Sequence, residues 1–159
     1  MKHSTDIQTG EVAVSGSQEI LIANGIGSCI AVIAIDTVSR VSGIAHIMLP
    51  GIAPETAEFP DRYAENGIGT LMTELAELNV QHNGLKIILA GAGNVLKRPD
   101  DAICAANIQS VRQALDRLGL MVAMEFLGGT ERRKIRLCPA SGELFCSTGD
   151  QPESLCFRF

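Results

Sequence analysis

Gly25-Ile26-Gly27-Ser28-Cys29-Ile30-Ala31-Val32-Ile33-Ala34-Ile35, then Asp36-Thr37-Val38-Ser39-Arg40, then Val41-Ser42-Gly43-Ile44-Ala45-His46-Ile47-Met48-Leu49-Pro50: the fold turns on how this stretch is read. Two apolar runs of strand length, Cys29 to Ile35 and Val41 to Leu49, flank a short polar connection, the pattern of a β-hairpin. A loop of Asp36 to Ser39 sets Cys29 directly opposite His46, with Cβ atoms about 5 Å apart. A loop of Thr37 to Arg40 makes them diagonal neighbours at roughly 7 Å, still on one face. A loop of odd length separates them onto opposite faces. With an even loop the hairpin pairs a thiol nucleophile with an acid/base partner, since a thiolate attacks carbonyl carbon far better than a thiol and a nearby imidazolium favours it. Gly25 and Gly27 allow left-handed backbone and close approach, so N–H groups of Gly27, Ser28 or Cys29 are candidates for an oxyanion hole. The plainer alternative is a buried thiol and a hydrogen-bonded core imidazole.

Working outward, Glu11 to Ser15 and Gln18 to Ala23 read as short strands. Pro50, Pro54 and Pro60 bracket a loop too proline-rich for a central strand and long enough to be functional. Asp61 is the expected N-cap of a first helix whose apolar face is Ile68, Leu71, Met72, Leu75 and Leu78. Leu85 to Ala90 is a continuous apolar strand ending in Gly91-Ala92-Gly93. A second helix is expected to start near Asp100 or Asp101, bury Ile103, Val111, Leu115 and Leu118, and end at Gly119. Leu120 to Leu127, Arg133 to Leu137 and Glu143 to Cys146 complete the strands. Strands, then helix, strand, helix, then strands again predict an α+β domain of packed mixed β-sheets with two outer helices.

The 159 residues are expected to form one domain, 1–159. A hydrophobic fraction of 46% with 19% charged residues is ordinary for a globular protein, and no apolar run is long enough for a membrane span. Direct membrane insertion is therefore not expected. Met1-Lys2-His3-Ser4-Thr5-Asp6 lacks the apolar core of a signal peptide, so the expected location is the cytoplasm. A net charge of −5, one tyrosine and no tryptophan argue against nucleic acid as a partner. Five widely spaced cysteines without a C-x-x-C pair point to reduced thiols rather than a disulfide framework or a zinc site. No metal or organic cofactor is expected. Gly25-x-Gly27 and Gly91-x-Gly93 lack the lysine and the following helix of a phosphate cradle. His3 and His82 are expected to be solvated, and Arg133 is a secondary candidate for orienting a polar substrate group.

Gly27-Ser28-Cys29-Ile30-Ala31-Val32, His46-Ile47-Met48-Leu49-Pro50 and Tyr63-Ala64, with weaker matches at Gly91-Ala92, Ile103 with Asn107, and Gly128-Gly129 with Arg133, resemble the CheD family of chemoreceptor glutamine deamidases. The resemblance implies the cysteine hydrolase fold shared with cytotoxic necrotizing toxins. It implies Cys29 and His46 as catalytic residues, methyl-accepting chemotaxis receptors as protein substrates, and a CheC-type phosphatase as a further partner. It also implies an alternative, a CheD-like binding module that acts through such partners with weakened chemistry, using Phe59, Tyr63 or Met72 as anchors. One departure stands out. The family's third catalytic residue is a threonine six positions before the cysteine, where this chain has Ala23; Asn24 is the neighbouring candidate for orienting the imidazole.

Overall fold

The computed structural model describes residues 3–159; Met1 and Lys2 of the N-terminal reading lie outside the described residues. The chain builds two five-stranded sheets and two helices. One sheet has the order β2 (Val12–Ser15), β5 (Ser42–Ile47), β4 (Ile30–Asp36), β6 (Leu85–Gly91), β7 (Val122–Leu127). The other has the order β1 (Ser4–Asp6), β3 (Ile20–Ile26), β8 (Arg133–Cys138), β9 (Glu143–Thr148), β10 (Ser154–Arg158). Each mixes parallel and antiparallel pairs, with β6 parallel to β7 and β1 parallel to β3. Helices α1 (Ala64–Glu77) and α2 (Ala102–Arg117) pack on the first sheet through a core that includes Ile30, Val32, Ile47, Ile68, Leu71, Leu89, Val111 and Leu115. The opposite face of that sheet packs on the second sheet through Ala31, Ile33, Ile35, Ile44, Ile88, Leu21, Ile135 and Leu137. The expected α+β architecture, mixed sheets with two outer helices, is the one observed.

The layering explains the sequence of β4. Covered by helices on one side and a sheet on the other, Ile30 to Ile35 is buried at every position, so it is a continuous apolar run rather than an alternating one. The β4–β5 ladder pairs Ile30 with Ile47 and Ala31 with His46, which selects the Thr37–Arg40 loop of the two even registers. Asp36 enforces it: its N–H and C=O bond Val41 C=O and Arg40 N–H at 2.9 and 2.8 Å, and its carboxylate accepts from Val38 N–H and Ser39 Oγ. Cys29 and His46 are therefore diagonal neighbours on the inter-sheet face.

Several expectations need correction. Asp61 does not cap α1. It lies in a 3-10 turn, Pro60–Arg62, and Tyr63 is the N-cap; the Asp61 carboxylate instead accepts from Thr70 Oγ1 at 2.7 Å. On α2, Val111 and Leu115 are buried but Ile103 and Leu118 are exposed, because the inward face runs through Cys104, Asn107, Val111, Ala114 and Leu115. Leu78 of the first stripe is also exposed, lying just past the helix end. Reduced thiols are found at Cys29, Cys104 and Cys138, whereas Cys146 and Cys156 form a disulfide. They meet because β10, which carries little apolar pattern of its own, pairs antiparallel with β9 and is bulged at Cys156.

Candidate active site

The segment from Gly27 to Cys29 is the crossover by which the chain leaves β3 in one sheet and enters β4 in the other. Its carbonyls are all engaged. Gly27 C=O accepts from Gly93 N–H at 2.8 Å and Cys29 C=O from Ala92 N–H at 2.8 Å. Ser28 C=O accepts from Asn107 Nδ2 at 3.0 Å. The N–H groups of Gly27 and Ser28 donate to nothing among the described residues. A turn with its acceptors tied back and its donors free has the form of an anion-holding backbone. Gly91 makes the arrangement possible. Its φ is +130°, and a Cβ there would stand 2.2 Å from the Cys29 carbonyl oxygen, so no side chain fits.

His46 is buried, with 1% of its surface exposed. Its backbone is fixed on both sides: His46 N–H donates to Glu11 C=O at 3.0 Å, and its carbonyl accepts from Gly10 N–H at 2.8 Å. Its ring Nδ1 lies 3.1 Å from the Ile7 carbonyl oxygen. A carbonyl can only accept, so Nδ1 carries the proton and Nε2 holds the free lone pair. Nε2 is buried and has no partner among the described residues. Burial lowers the His46 pKa below its usual range, against the opposing Ile7 bond and the Glu11 charge. Burial likewise raises the Cys29 thiol, against hydrogen bonds from the Thr9 side chain and the Cys29 backbone. Burial thus disfavours charge on both groups, an arrangement that suits proton transfer during attack better than a standing ion pair.

Asn24 does not reach the ring. It is exposed, and its Oδ1 accepts from Gly25 N–H at 2.8 Å; the Ile7 carbonyl holds Nδ1 instead. Ala23 is buried in the inter-sheet core and paired with Ile135. Arg133 is a brace rather than a free cation, its Nη1 donating to the carbonyls of Gly91 and Gly128 at 3.1 and 2.8 Å.

Asn107 and Thr9 are the residues whose part the sequence reading did not assign. Asn107, on the buried face of α2, also donates to Met48 C=O at 3.1 Å, so one carboxamide clamps the turn before β4 and the segment after β5. Its signal was a polar residue between Ile103 and Val111 on an otherwise apolar face. Thr9 lies in the Ile7–Glu11 segment that wraps His46, and nothing in its sequence context marks it.

Cys29 opens into a cavity of about 420 Å³. His46 is behind the cavity rather than on its wall. The walls come from Gly25, Gly27 and Ser28, from the β6–α2 loop (Gly93 to Leu96 and Arg98), from Ile103 and Cys104 at the start of α2, and from Arg132. Cys104 shares the cavity, where burial and the nearby Asp101 carboxylate push its thiol up to about 11.

Fold and site together define a layered protein, helices on a mixed sheet on a second mixed sheet, with a cysteine at the sheet crossover and a histidine on the same inter-sheet face. A family model described as CheD chemotactic sensory transduction matches residues 48–148. A probable chemoreceptor glutamine deamidase CheD of Chlorobium luteolum is 38% identical over 152 residues, 95% of this chain and 76% of the relative. The chemoreceptor glutamine deamidase CheD of Thermotoga maritima is 30% identical over 138 residues, 87% of each chain. A probable chemoreceptor glutamine deamidase CheD of Methanococcus maripaludis strain S2 is 30% identical over 151 residues, 94% of this chain and 97% of the relative. The chain belongs to the CheD family. No helix among the described residues is long and apolar enough to cross a membrane.

Proposed function

We propose that this chain deamidates glutamine side chains of methyl-accepting chemotaxis receptors to glutamate, acting in the cytoplasm as one domain over residues 1–159. The observation that carries the reading is the placement of His46: a buried ring held through Nδ1 at the Ile7 carbonyl, with an unpartnered Nε2, on the inter-sheet face that also bears Cys29. In the first half-reaction Cys29 Sγ attacks the carboxamide carbon while its proton passes to Nε2. The developing oxyanion is met by the free N–H groups of Gly27 and Ser28. The imidazolium then protonates the departing nitrogen, the C–N bond breaks, and ammonia leaves a thioester on Cys29. In the second half, water gives a proton to Nε2 and attacks the thioester; the C–S bond breaks, the thiol is reprotonated, and glutamate is released. The names of the relatives and the family membership support the same substrate class.

The test is peptide mass spectrometry of a receptor cytoplasmic domain after incubation with the protein. Glutamine-to-glutamate conversion by the wild type and none by Cys29→Ala is the expected result. No conversion by the wild type, where an active relative converts the same receptor, overturns the proposal.

A second reading, docking to a CheC-type phosphatase, draws support from Ile52 and Phe59, which are 69% and 50% exposed in the loop before α1. The Arg62 guanidinium lies 4.4 Å over the Phe59 ring. Of the other expected anchors, Met72 is buried in the core and Tyr63 caps α1. Partner binding that survives Cys29→Ala but not Phe59→Ala is the outcome this reading expects.

A further inference from the structure

The cavity in front of Cys29 differs in charge from the rest of the surface. Elsewhere five cations are paired: Arg112 with Glu125, Arg117 with Glu65, Lys134 and Arg136 with Glu153, Arg158 with Glu143. Arg98 and Arg132 line the cavity, are exposed, and have no ion-pair partner among the described residues. Among the described residues no carboxylate lines the wall itself, Asp101 lying beside Cys104, although the chain carries a net charge of −5.

The two guanidinium groups ride on loops that are braced to each other and to the Cys29 turn. Asn94 holds both ends of the Arg98 loop, its Oδ1 accepting from Arg98 N–H at 3.0 Å and its Nδ2 donating to Arg98 C=O at 2.8 Å. Asn94 N–H donates to Gly129 C=O at 2.8 Å, tying this loop to the one that carries Arg132, and Gly93 N–H donates to Gly27 C=O at 2.8 Å. The same wall carries apolar side chains, among them Leu96, 70% exposed, and Ile103.

We infer that Arg98 and Arg132 select the target glutamine, favouring one whose close neighbours on the partner are carboxylates beside an apolar residue. This rests on the deamidase reading above. Unpaired guanidinium groups carried on braced loops complement carboxylates by charge and by their planar donor fork, and rim charges act chiefly on encounter and on rejection of the wrong partner. Substrate regions dominated by lysine or arginine are accordingly disfavoured, whatever their glutamine content.

The experiment compares three matched glutamine peptides, flanked by glutamate, serine or lysine, using wild-type protein and the Arg98→Glu/Arg132→Glu double variant. The wild type is expected to prefer the glutamate-flanked over the lysine-flanked peptide in kcat/KM by on the order of tenfold at low salt, shrinking at high salt. The double variant is expected to invert that order. Alkylation of Cys29 by anionic iodoacetate relative to neutral iodoacetamide gives a readout that needs no turnover, and that ratio should fall in the double variant. If the wild type converts no peptide that an active relative converts, yet the ratio falls, the deamidase reading fails and the charge assignment stands. Equal conversion of all three peptides, or a ratio indifferent to the double substitution, overturns the inference.

Discussion

The two faces of the β2-β5-β4-β6-β7 sheet use the same strands for different ends. Val32, Ala45, Ile47, Ile87 and Leu89 face the helices and are sealed by Ile68, Leu71, Leu75 and Val111. Ala31, Ile33, Ile44, Ile88 and Ala90 face the second sheet, and this core ends where β3 crosses into β4, at Cys29. The buried residues of both cores are almost all aliphatic, so hydrophobic burial does not distinguish them. What differs is closure: the helix layer extends over its face, while the sheet-to-sheet face ends in a turn whose N–H groups remain unbonded. Cys29 stands at that margin and opens into the cavity, while His46 stays in the core behind it, where burial disfavours its charged form. Asn107 couples the two faces, reaching from the helix layer to the carbonyls of Ser28 and Met48.

If the inter-sheet face carries the chemistry, His46→Gln should give the largest effect. Removing the acid/base is expected to cost about 10²- to 10⁴-fold in kcat, with the folded state retained by circular dichroism. The same variant tests the pH behaviour. Native His46 titrates below the ordinary value of 6.5, so the unfolded chain takes up the proton first. Its contribution therefore lowers stability as the pH falls from about 6.5 through the native pKa, and is absent above that window. In His46→Gln this part of the acid destabilisation should disappear from denaturant midpoints measured across the window. A variant with wild-type rate and an unchanged acid limb removes His46 from the site.

The helix face predicts the opposite signature. Leu71 is fully buried under α1, and Leu71→Ala should cost about 2–5 kcal/mol through lost transfer energy and a residual cavity. It leaves the crossover turn untouched, so the rate of Cys29 alkylation by iodoacetamide under native conditions should match the wild type. Equal losses of stability and thiol reactivity would mean that the two faces act as one unit.

The sequence made the inter-sheet face legible to different depths. That Cys29 and His46 share a face followed from two apolar runs and an even loop, because a strand's side chains alternate with a period of two. Which even loop applied was not legible, since it depends on Asp36 closing the turn onto Val41 and on Arg40 adopting a φ of +64°. The edge strands were invisible for a different reason. Ser4–Asp6 is entirely polar and is a strand only because β3 offers it a parallel ladder, and Ser154–Arg158 owes its place to β9. With β10 unread, the approach of Cys156 to Cys146 had no basis in the pattern. The orientation of His46 escaped as well, because a backbone carbonyl performs it: the Ile7 C=O has no residue-type signature, so a reading by side-chain chemistry turned to Asn24.

Thr9 carries the smallest prediction and separates the two faces most finely. Its hydroxyl acts on the Cys29 sulfur against the upward push of burial on the thiol, while the side chain belongs to neither aliphatic core. Valine has nearly the same shape without the donor. Losing a hydrogen bond of typical net worth, about 0.5–1.5 kcal/mol, should push the Cys29 thiol further up in Thr9→Val. The thiolate is then less populated at any pH below its titration, so iodoacetamide alkylation at neutral pH should slow by a few-fold. Thr9→Ser, which restores the donor, should recover most of the rate, and neither change should move the thermal midpoint appreciably, since the side chain is exposed. A pH–alkylation profile that is the same for threonine, serine and valine at this position would show that the hydroxyl does not act on the sulfur, and would leave the backbone donors of the Gly27 to Cys29 turn as the groups opposing burial there.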